Sequence, residues 1–420
     1  KPFDIPDSWE WVRLGDVGTI TSGGTPKTSE KSYWEEGKIP WITPAVMSAS
    51  QNDIVFNNKD VKYINNLGLE KSSAHLIPKN SLVVSSRAPI GYVNIVPFEY
   101  TTNQGCKSVS LYDDTNKQFI YFAIKNAVPE MNRRASGTTF KEISGTKFGQ
   151  TIVPLPPLSE QSRIAAKIAQ LFALLRKVES STQQYAKLQT LLKSKVLDLA
   201  MRGKLVKQDP NDESASVLLE KIKTEKAELV KEKKIKKSEP FPPITDEEKP
   251  FDIPDSWEWA RLGDVAKKIT DGTHNPPPNS HSGKQLISAI NIKNGKIDFK
   301  LSNRFVTDSQ FEKEDKRTHI RKGDVLLTIV GSLGNAAIVE NDKLFTAQRS
   351  VAIISSDLLS KYLYYSLTSK MFQEQIFNNA KGTTQRGIYL KKLSGLILPL
   401  PPINEQCRIV NKINELYWLI

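Results

Sequence analysis

The sequence predicts an α+β protein organised as a pseudo-two-fold repeat. Two globular domains of mixed β-sheet and short helices are joined by long antiparallel coiled-coil helices. Three observations predict this. One 17-residue segment occurs twice with a single substitution. Each copy opens a unit that a second matching segment closes, and the middles between them are unlike. A seven-residue apolar repeat then runs on without Pro or Gly, which is the signature of a coiled coil.

The repeat comes first. Residues 1–17 read KPFDIPDSWEWVRLGDV and residues 249–265 read KPFDIPDSWEWARLGDV, differing only at Val12 and Ala260. The closing segments are Pro154-Leu155-Pro156-Pro157-Leu158-Ser159-Glu160-Gln161 and Pro399-Leu400-Pro401-Pro402-Ile403-Asn404-Glu405-Gln406. Gly137-Thr138-Thr139 and Gly382-Thr383-Thr384 match shortly before them. These marks set domains at 1–158 and 249–403.

The middles, 18–134 and 266–379, share only a skeleton. Leu82-Val83-Val84-Ser85 and Val325-Leu326-Leu327-Thr328 are apolar runs suited to buried strands, each followed by a Gly-containing turn and a second strand. Thr101-Thr102-Asn103-Gln104 and Phe345-Thr346-Ala347-Gln348 come next. An aromatic helix follows, with Phe119, Tyr121 and Phe122 in one unit and Tyr362, Tyr364 and Tyr365 in the other. Identical ends imply one scaffold or partner met twice. Divergent middles imply two different ligands of one class. Drift after duplication would not spare 16 of 17 residues at one end while erasing the centre.

The helical region spans 159–237. Ser159 is the expected N-cap, with Glu160 in the first turn. The stripe Ile164, Ile168, Leu171, Leu175, Val178, Thr182, Tyr185, Gln189, Leu192, Val196, Leu199 predicts a helix to about Arg202, roughly 65 Å long. Gly203 is the expected residue just past its end. A second helix is predicted from Ala215 to about Lys237, with Leu218, Ile222 and Leu229 on one face and a lysine-rich end. Residues 238–248, with Pro240, Pro242 and Pro243, read as an extended linker. Residues 404–420 open a distal helix, where Ile409, Ile413, Leu416 and Ile420 repeat the stripe. Paired antiparallel with the long helix, this short partner leaves part of the stripe uncovered, a place for another chain.

The chain has 420 residues, with 59 Lys and Arg against 46 Asp and Glu, for a net charge of +13. A basic balance points to a polyanionic partner. The two cysteines, Cys106 and Cys407, lack CxxC spacing, which excludes a disulfide scaffold or zinc ribbon and fits a reducing cytoplasm. They read as small buried or half-buried residues. With no 18-residue apolar run, no membrane partner is expected. Residue 1 is Lys, not Met, so a longer natural chain is expected.

Catalytic signatures are weak. Asn275-Pro276-Pro277-Pro278 has the NPP of amino-methyltransferases but lacks the aromatic fourth residue that stacks a flipped base, and reads as a surface loop. Glu314-Asp315-Lys316 and Glu248-Lys249 read as charged loop. His75, His274, His281 and His319 lack zinc spacing, so no metal site is expected, and there is no GxxxxGK[ST] loop. A chain catalysing alone and a purely structural coiled coil are the competing readings.

Taken together, Trp-Glu-Trp-x-Arg-Leu-Gly-Asp at 9–16 and 257–264, the two Gly-Thr-Thr triplets, the two Pro-Leu-Pro-Pro-x-x-Glu-Gln-x-Arg-Ile segments and Leu197-Asp198-Leu199-Ala200-Met201-Arg202-Gly203-Lys204-Leu205 resemble the specificity subunit of type I restriction–modification systems. The resemblance covers essentially the whole chain. It implies two target-recognition domains, each reading one half of a bipartite, asymmetric site on double-stranded DNA. It implies helices that set the unread spacer and dock two modification (methyltransferase) subunits, joined by restriction (motor and nuclease) subunits. Cofactors are then expected on those partners (S-adenosylmethionine, ATP and Mg²⁺) and none on this chain, which is not itself an enzyme. The short distal coil departs from the family pattern and suggests helix pairing with another chain.

Base edges are read by Arg, Lys, Asn, Gln, Ser and Thr, and phosphates by the same groups and backbone N–H. The DNA-binding candidates lie in loops of the divergent middles: Thr25, Lys27, Ser86, Arg87, Asn103, Gln104, Thr138 and Thr139 in the first unit. In the second they are Thr273, His274, Ser332, Gln348, Arg349, Thr384, Gln385 and Arg386. Gly23 and Gly24 are expected to let backbone approach the duplex. Gln104 and Gln348 hold matching places, so a framework role stays open for both. Trp9, Trp11, Trp257 and Trp259 read as core or docking residues.

Overall fold

The computed structural model of the protein describes residues 2–112, 117–137, 141–233, 235, 239–382 and 386–420. Contacts divide it into two units, Lys1–Ser181 and Thr182–Ile420. The boundary falls inside the helix Leu158–Met201, so each unit owns one end of it.

In the first unit, Glu10–Arg13 pairs antiparallel with Ile152–Leu155. The duplicated opening segment and the closing segment thus form one ribbon. The middle forms an antiparallel sheet ordered Gly18–Ser22, Cys106–Leu111, Leu82–Ser86, Ile90–Ile95. A three-stranded sheet, Lys62–Ile64, Ile39–Ile42, Thr101–Thr102, lies beside it, its last pair parallel.

The run Leu82-Val83-Val84 is apolar throughout because both faces of its strand are covered. Side chains alternate across a strand. Leu82 and Val84 join a core with Phe119, Ile120 and Ile124 of the helix Lys117–Arg134. Val83 enters a second core with Ile42, Met47, Phe56 and Tyr100. The turn after this strand is Arg87-Ala88-Pro89 rather than a glycine turn; Gly91 lies inside the next strand, which starts at Ile90.

The second unit repeats this plan. Glu258–Arg261 pairs with Ile397–Leu400. The four-stranded sheet runs Ala266–Asp271, Val351–Ser356, Val325–Thr328, Ala336–Ile338. The three-stranded one runs Phe305–Val306, Lys284–Ile287, Phe345–Ala347. Val325 and Leu327 face one core and Leu326 another. One strand order thus serves two middles of unlike sequence, because alternation into two cores is all that the plan demands.

The long helix begins at Leu158, so Ser159 is inside its first turn and does not cap it. The Pro157 carbonyl takes that place, accepting from Glu160 N at 2.8 Å and Gln161 N at 3.0 Å. At the other end Gly203 adopts φ +65°, and Lys204 N donates to Leu199 O at 2.9 Å, closing the helix in a Schellman arrangement.

Within the second unit, the helix Ile403–Leu419 packs on Val196, Leu197, Ala200 and Met201 through Ile409 and Ile413, all buried. Tyr417 donates to Lys193 O at 3.1 Å, and Gln189 donates to Ile420 O. As one residue number rises the other falls, so the pair is antiparallel. The expected uncovered stretch follows: Leu171, Leu175, Val178, Tyr185 and Leu192 are all about half exposed or more.

The next helix, Ala215–Lys231, stops short of the expected Lys237. Lys233 turns left-handed at φ +58°, and Ile235 N bonds back to Leu229 O. Of the lysine-rich end, Lys234, Lys236 and Lys237 lie outside the described residues. Ala215 and Ile222 join the core of the second unit with Ala260, Leu262 and Val265. The segment read as an extended linker is anchored rather than free. Arg261, 5% exposed, donates to Pro242 O and to both oxygens of Glu248.

Cys106 is buried, and burial pushes its thiol up to about 12. Cys407 is exposed, against expectation, because it faces away from the antiparallel helix pair. No helix among the described residues is long and apolar enough to cross a membrane.

Candidate nucleic-acid interface

In each unit one strand end gathers loops that are far apart in sequence. In the first, Ile143 N donates to Ser86 O at 3.0 Å, and Arg87 forms a β-bridge with Glu142. Ser136 and Glu142 exchange backbone bonds of 3.0 and 2.9 Å. Ser86 N donates to Gly105 O at 2.7 Å, bringing Asn103-Gln104-Gly105 alongside.

Glycine completes the gathering. A side chain at Gly23 would meet Asn103 O at 2.0 Å, and one at Gly272 would meet Ala347 O at 2.0 Å. These glycines admit the protein's own neighbouring strand. The close approach sets Thr25 to donate to Gln104 Oε1. Asn103 Oδ1 accepts from Gly105 N at 3.0 Å, so part of its polarity is spent holding the turn.

A charged cluster marks this place. Glu142 accepts from Arg87 Nη1 at 3.5 Å and lies 3.6 Å from Lys107 Nζ. Lys107 is 6% exposed and also donates to Gln104 O at 2.8 Å. Burial holds its ammonium below the usual lysine value, while the Glu142 carboxylate pulls back up.

In the second unit the same loop root recurs. Ile388 N donates to Ile329 O at 2.9 Å, Val330 bridges Gly387, and Lys381 and Gly387 exchange bonds of 2.9 and 3.0 Å. Gly331 N donates to Arg386 O at 3.3 Å, which sets Arg386 beside exposed Ser332. Thr273 bridges Gln348, and Arg349 N donates to Thr273 O at 2.9 Å. His274 lies 2.8 Å from Asp271, which also accepts from Arg317 at 3.2 Å.

Among the sequence-chosen candidates, Lys27, Gln104, His274, Ser332, Arg349 and Arg386 are exposed, and Thr25, Arg87, Asn103 and Gln348 are partly exposed. Ser86 and Thr273 are buried, because each lies where the gathered backbone closes over it. Their side chains are withdrawn from direct contact. Thr138, Thr139, Thr384 and Gln385 lie outside the described residues. Sequence reasoning missed Lys107, Glu142 and Arg317. A lysine alternating into a strand was the available signal for Lys107; for Glu142 there was none.

The other motifs have structural uses. Asn275–Pro278 is largely exposed loop, with Pro277 O accepting from Arg304 at 3.0 Å. Asp315 lies in the helix Asp308–Thr318, not a loop, and binds Arg321 through both oxygens at 2.8 and 2.7 Å. Trp11 packs on Phe3 at 4.9 Å and Trp259 on Phe251 at 5.2 Å.

Comparison with known proteins agrees with this duplicated plan. The family model described as the type I restriction modification DNA specificity domain matches twice, at residues 6–189 and 254–418. The type I restriction enzyme EcoEI specificity subunit of Escherichia coli is 27% identical, covering 99% of this chain and 79% of that one. The MjaIX specificity subunit of Methanocaldococcus jannaschii is 25% identical, covering 95% and 84%. The HsdS subunit from Thermoanaerobacter tengcongensis shares the fold, with a TM-score of 0.58 at 18% identity, covering 100% of this chain and 91% of that one. A chain from a structure on complex assembly and conformational transition of the type I R-M system has a TM-score of 0.63 at 19% identity, covering 100% and 92%. Two matched domains spanning most of 420 residues place the chain in the family of type I restriction–modification DNA specificity subunits.

Proposed function

We propose that this chain reads a split DNA site, one half with each unit, and leaves the chemistry to partner subunits. The observation that supports this most is the pairing of near-identical frames with unlike loops. In both units the same strand ends carry the gathered loops around a shared glutamine, Gln104 or Gln348, but the other side chains there differ: Arg87 and Glu142 in one, Ser332 and Arg386 in the other. A shared frame suits a shared partner, and unlike polar loops suit unlike base sequences.

On this reading the Leu158–Met201 helix fixes the unread spacer. At 1.5 Å per residue its 44 residues span about 66 Å, close to two turns of B-DNA at about 34 Å each. The exposed apolar stripe from Leu171 to Leu192 is where modification subunits dock. S-adenosylmethionine, ATP and Mg²⁺ belong to the modification and restriction subunits. The net charge of +13 supplies the non-specific attraction to phosphate.

The test is to incubate the full chain with a randomised duplex pool and sequence the bound fraction over rising salt. Two short motifs at a fixed unread distance support the reading. Recovery of no motif, or of one uninterrupted motif, contradicts it. Methyl transfer by the chain alone, given S-adenosylmethionine, would favour an enzyme instead.

A further inference from the structure

The two loop roots are built alike but charged differently. In the first unit the bridge joins Arg87 to Glu142, and the strand position opposite Val84 is Lys107. In the second unit the matching bridge joins Val330 to Gly387, and the position opposite Leu327 is Ala352. Two cations and the acid they share occupy three places that are neutral in the other unit.

The three groups are not equivalent. Lys107 is 6% exposed, on a central strand, and its ammonium is tied to Gln104 O. It cannot follow a ligand. The main chain of Glu142 is held by its bonds to Ser136, and its carboxylate lies 3.6 Å from the Lys107 ammonium. Arg87 packs over Gly105 with its side chain 35% exposed and reaches Glu142, 37% exposed, at 3.5 Å. A guanidinium reads guanine through two parallel bonds, so its plane must be set beforehand. A loose one contacts phosphate on any sequence.

We propose that Glu142 is a specificity-determining positioning residue for the first half-site. It fixes the plane of Arg87 so that this arginine discriminates one base pair, and Lys107 anchors it from beneath. Among the described residues of the second unit the three matching positions hold Val330, Ala352 and Gly387, and the arginine–acid pair there, Arg317 with Asp271, is built from other elements. This inference rests on the split-site reading above.

The experiment is bind-and-sequence with the full chain as wild type, Glu142→Gln, Arg87→Ala and the double variant Glu142→Gln with Lys107→Met. The double variant keeps the fold test fair, since it leaves no buried ammonium without its acid. The expected result is loss of preference at one base pair by about 10-fold or more, at the same position in all three variants. The other half-site stays unchanged, and Glu142→Gln binds unrelated duplex more tightly. A motif for Glu142→Gln identical to wild type overturns the proposal. So does loss at a position different from that lost in Arg87→Ala, which would make Glu142 a reader itself. A wild-type chain that yields no split motif overturns the underlying reading instead, so the two failures are distinct.

Discussion

The indole Nε1 of Trp257 donates a 2.9 Å hydrogen bond to the carboxylate of Glu405, joining the duplicated opening segment to the closing segment 148 residues later. Trp9 and Glu160 make the same bond at 3.2 Å in the first unit. The pair explains why both ends of each repeat are kept together. The surroundings differ: Trp257 and Glu405 are buried, with Gln208 also donating to Glu405 at 2.6 Å, whereas Trp9 and Glu160 are partly exposed.

That difference has a consequence for stability. Trp257→Phe leaves a buried carboxylate short of a donor, and is expected to cost the second unit about 1–3 kcal/mol. Trp9→Phe is expected to cost clearly less, because water replaces the lost donor. Chemical denaturation of the two variants, followed by hydrogen exchange to separate the units, checks the ranking.

Glu405 also sets a pH dependence. Burial raises its carboxyl above the usual glutamate value, while the bonds from Trp257 and Gln208 act in the opposite direction. A raised carboxyl holds its proton more tightly when folded. Its contribution is complete below the unfolded value and is lost as pH rises through the folded one. Glu405→Gln is neutral throughout and keeps an acceptor. The melting temperature of this variant relative to wild type should therefore climb as pH rises through and above the usual glutamate range. A flat or falling difference contradicts the assignment.

The apolar stripe of the long helix divides into covered and bare parts. Ile413→Ala empties a packed site between two helices and should cost about 2–5 kcal/mol. Leu175→Ser, at a half-exposed position on the same stripe pattern, should change stability by about 0.5 kcal/mol or less. Equal losses at the two sites would show that the bare part is packed in solution.

Lys27 is exposed and lies in a loop next to Thr25. As a phosphate contact, Lys27→Ala should weaken binding alike on all sequences and reduce the salt slope by about 1. A change of sequence preference would make it a base reader.

Much of the fold was legible because repetition and periodicity are written directly in residues. The 16 shared positions of the opening segment, the strand run Leu82-Val83-Val84 and the stripe from Ile164 to Leu199 each state their burial by pattern. Less was legible where backbone decides. Pro157 rather than Ser159 starts the long helix because a carbonyl, not a side chain, meets the first amides. Residues 238–248 read as an extended linker because nothing in their composition announces the Arg261 anchor. At the site, loops could be named, but Ser86 and Thr273 lie beneath the surface. Glu142 entered only once the bridge to Arg87 was visible, since a lone acid in a basic loop carries no signal of its own.

The central claim is that the two middles are independent readers on one frame. Residues 18–134 can be replaced by the matching segment of a relative that selects a different motif, and the chimaera passed through the same randomised pool. The account predicts that one half of the recovered motif changes while the other half and the gap between them stay as in the parent. Change in both halves, or in neither, would contradict it.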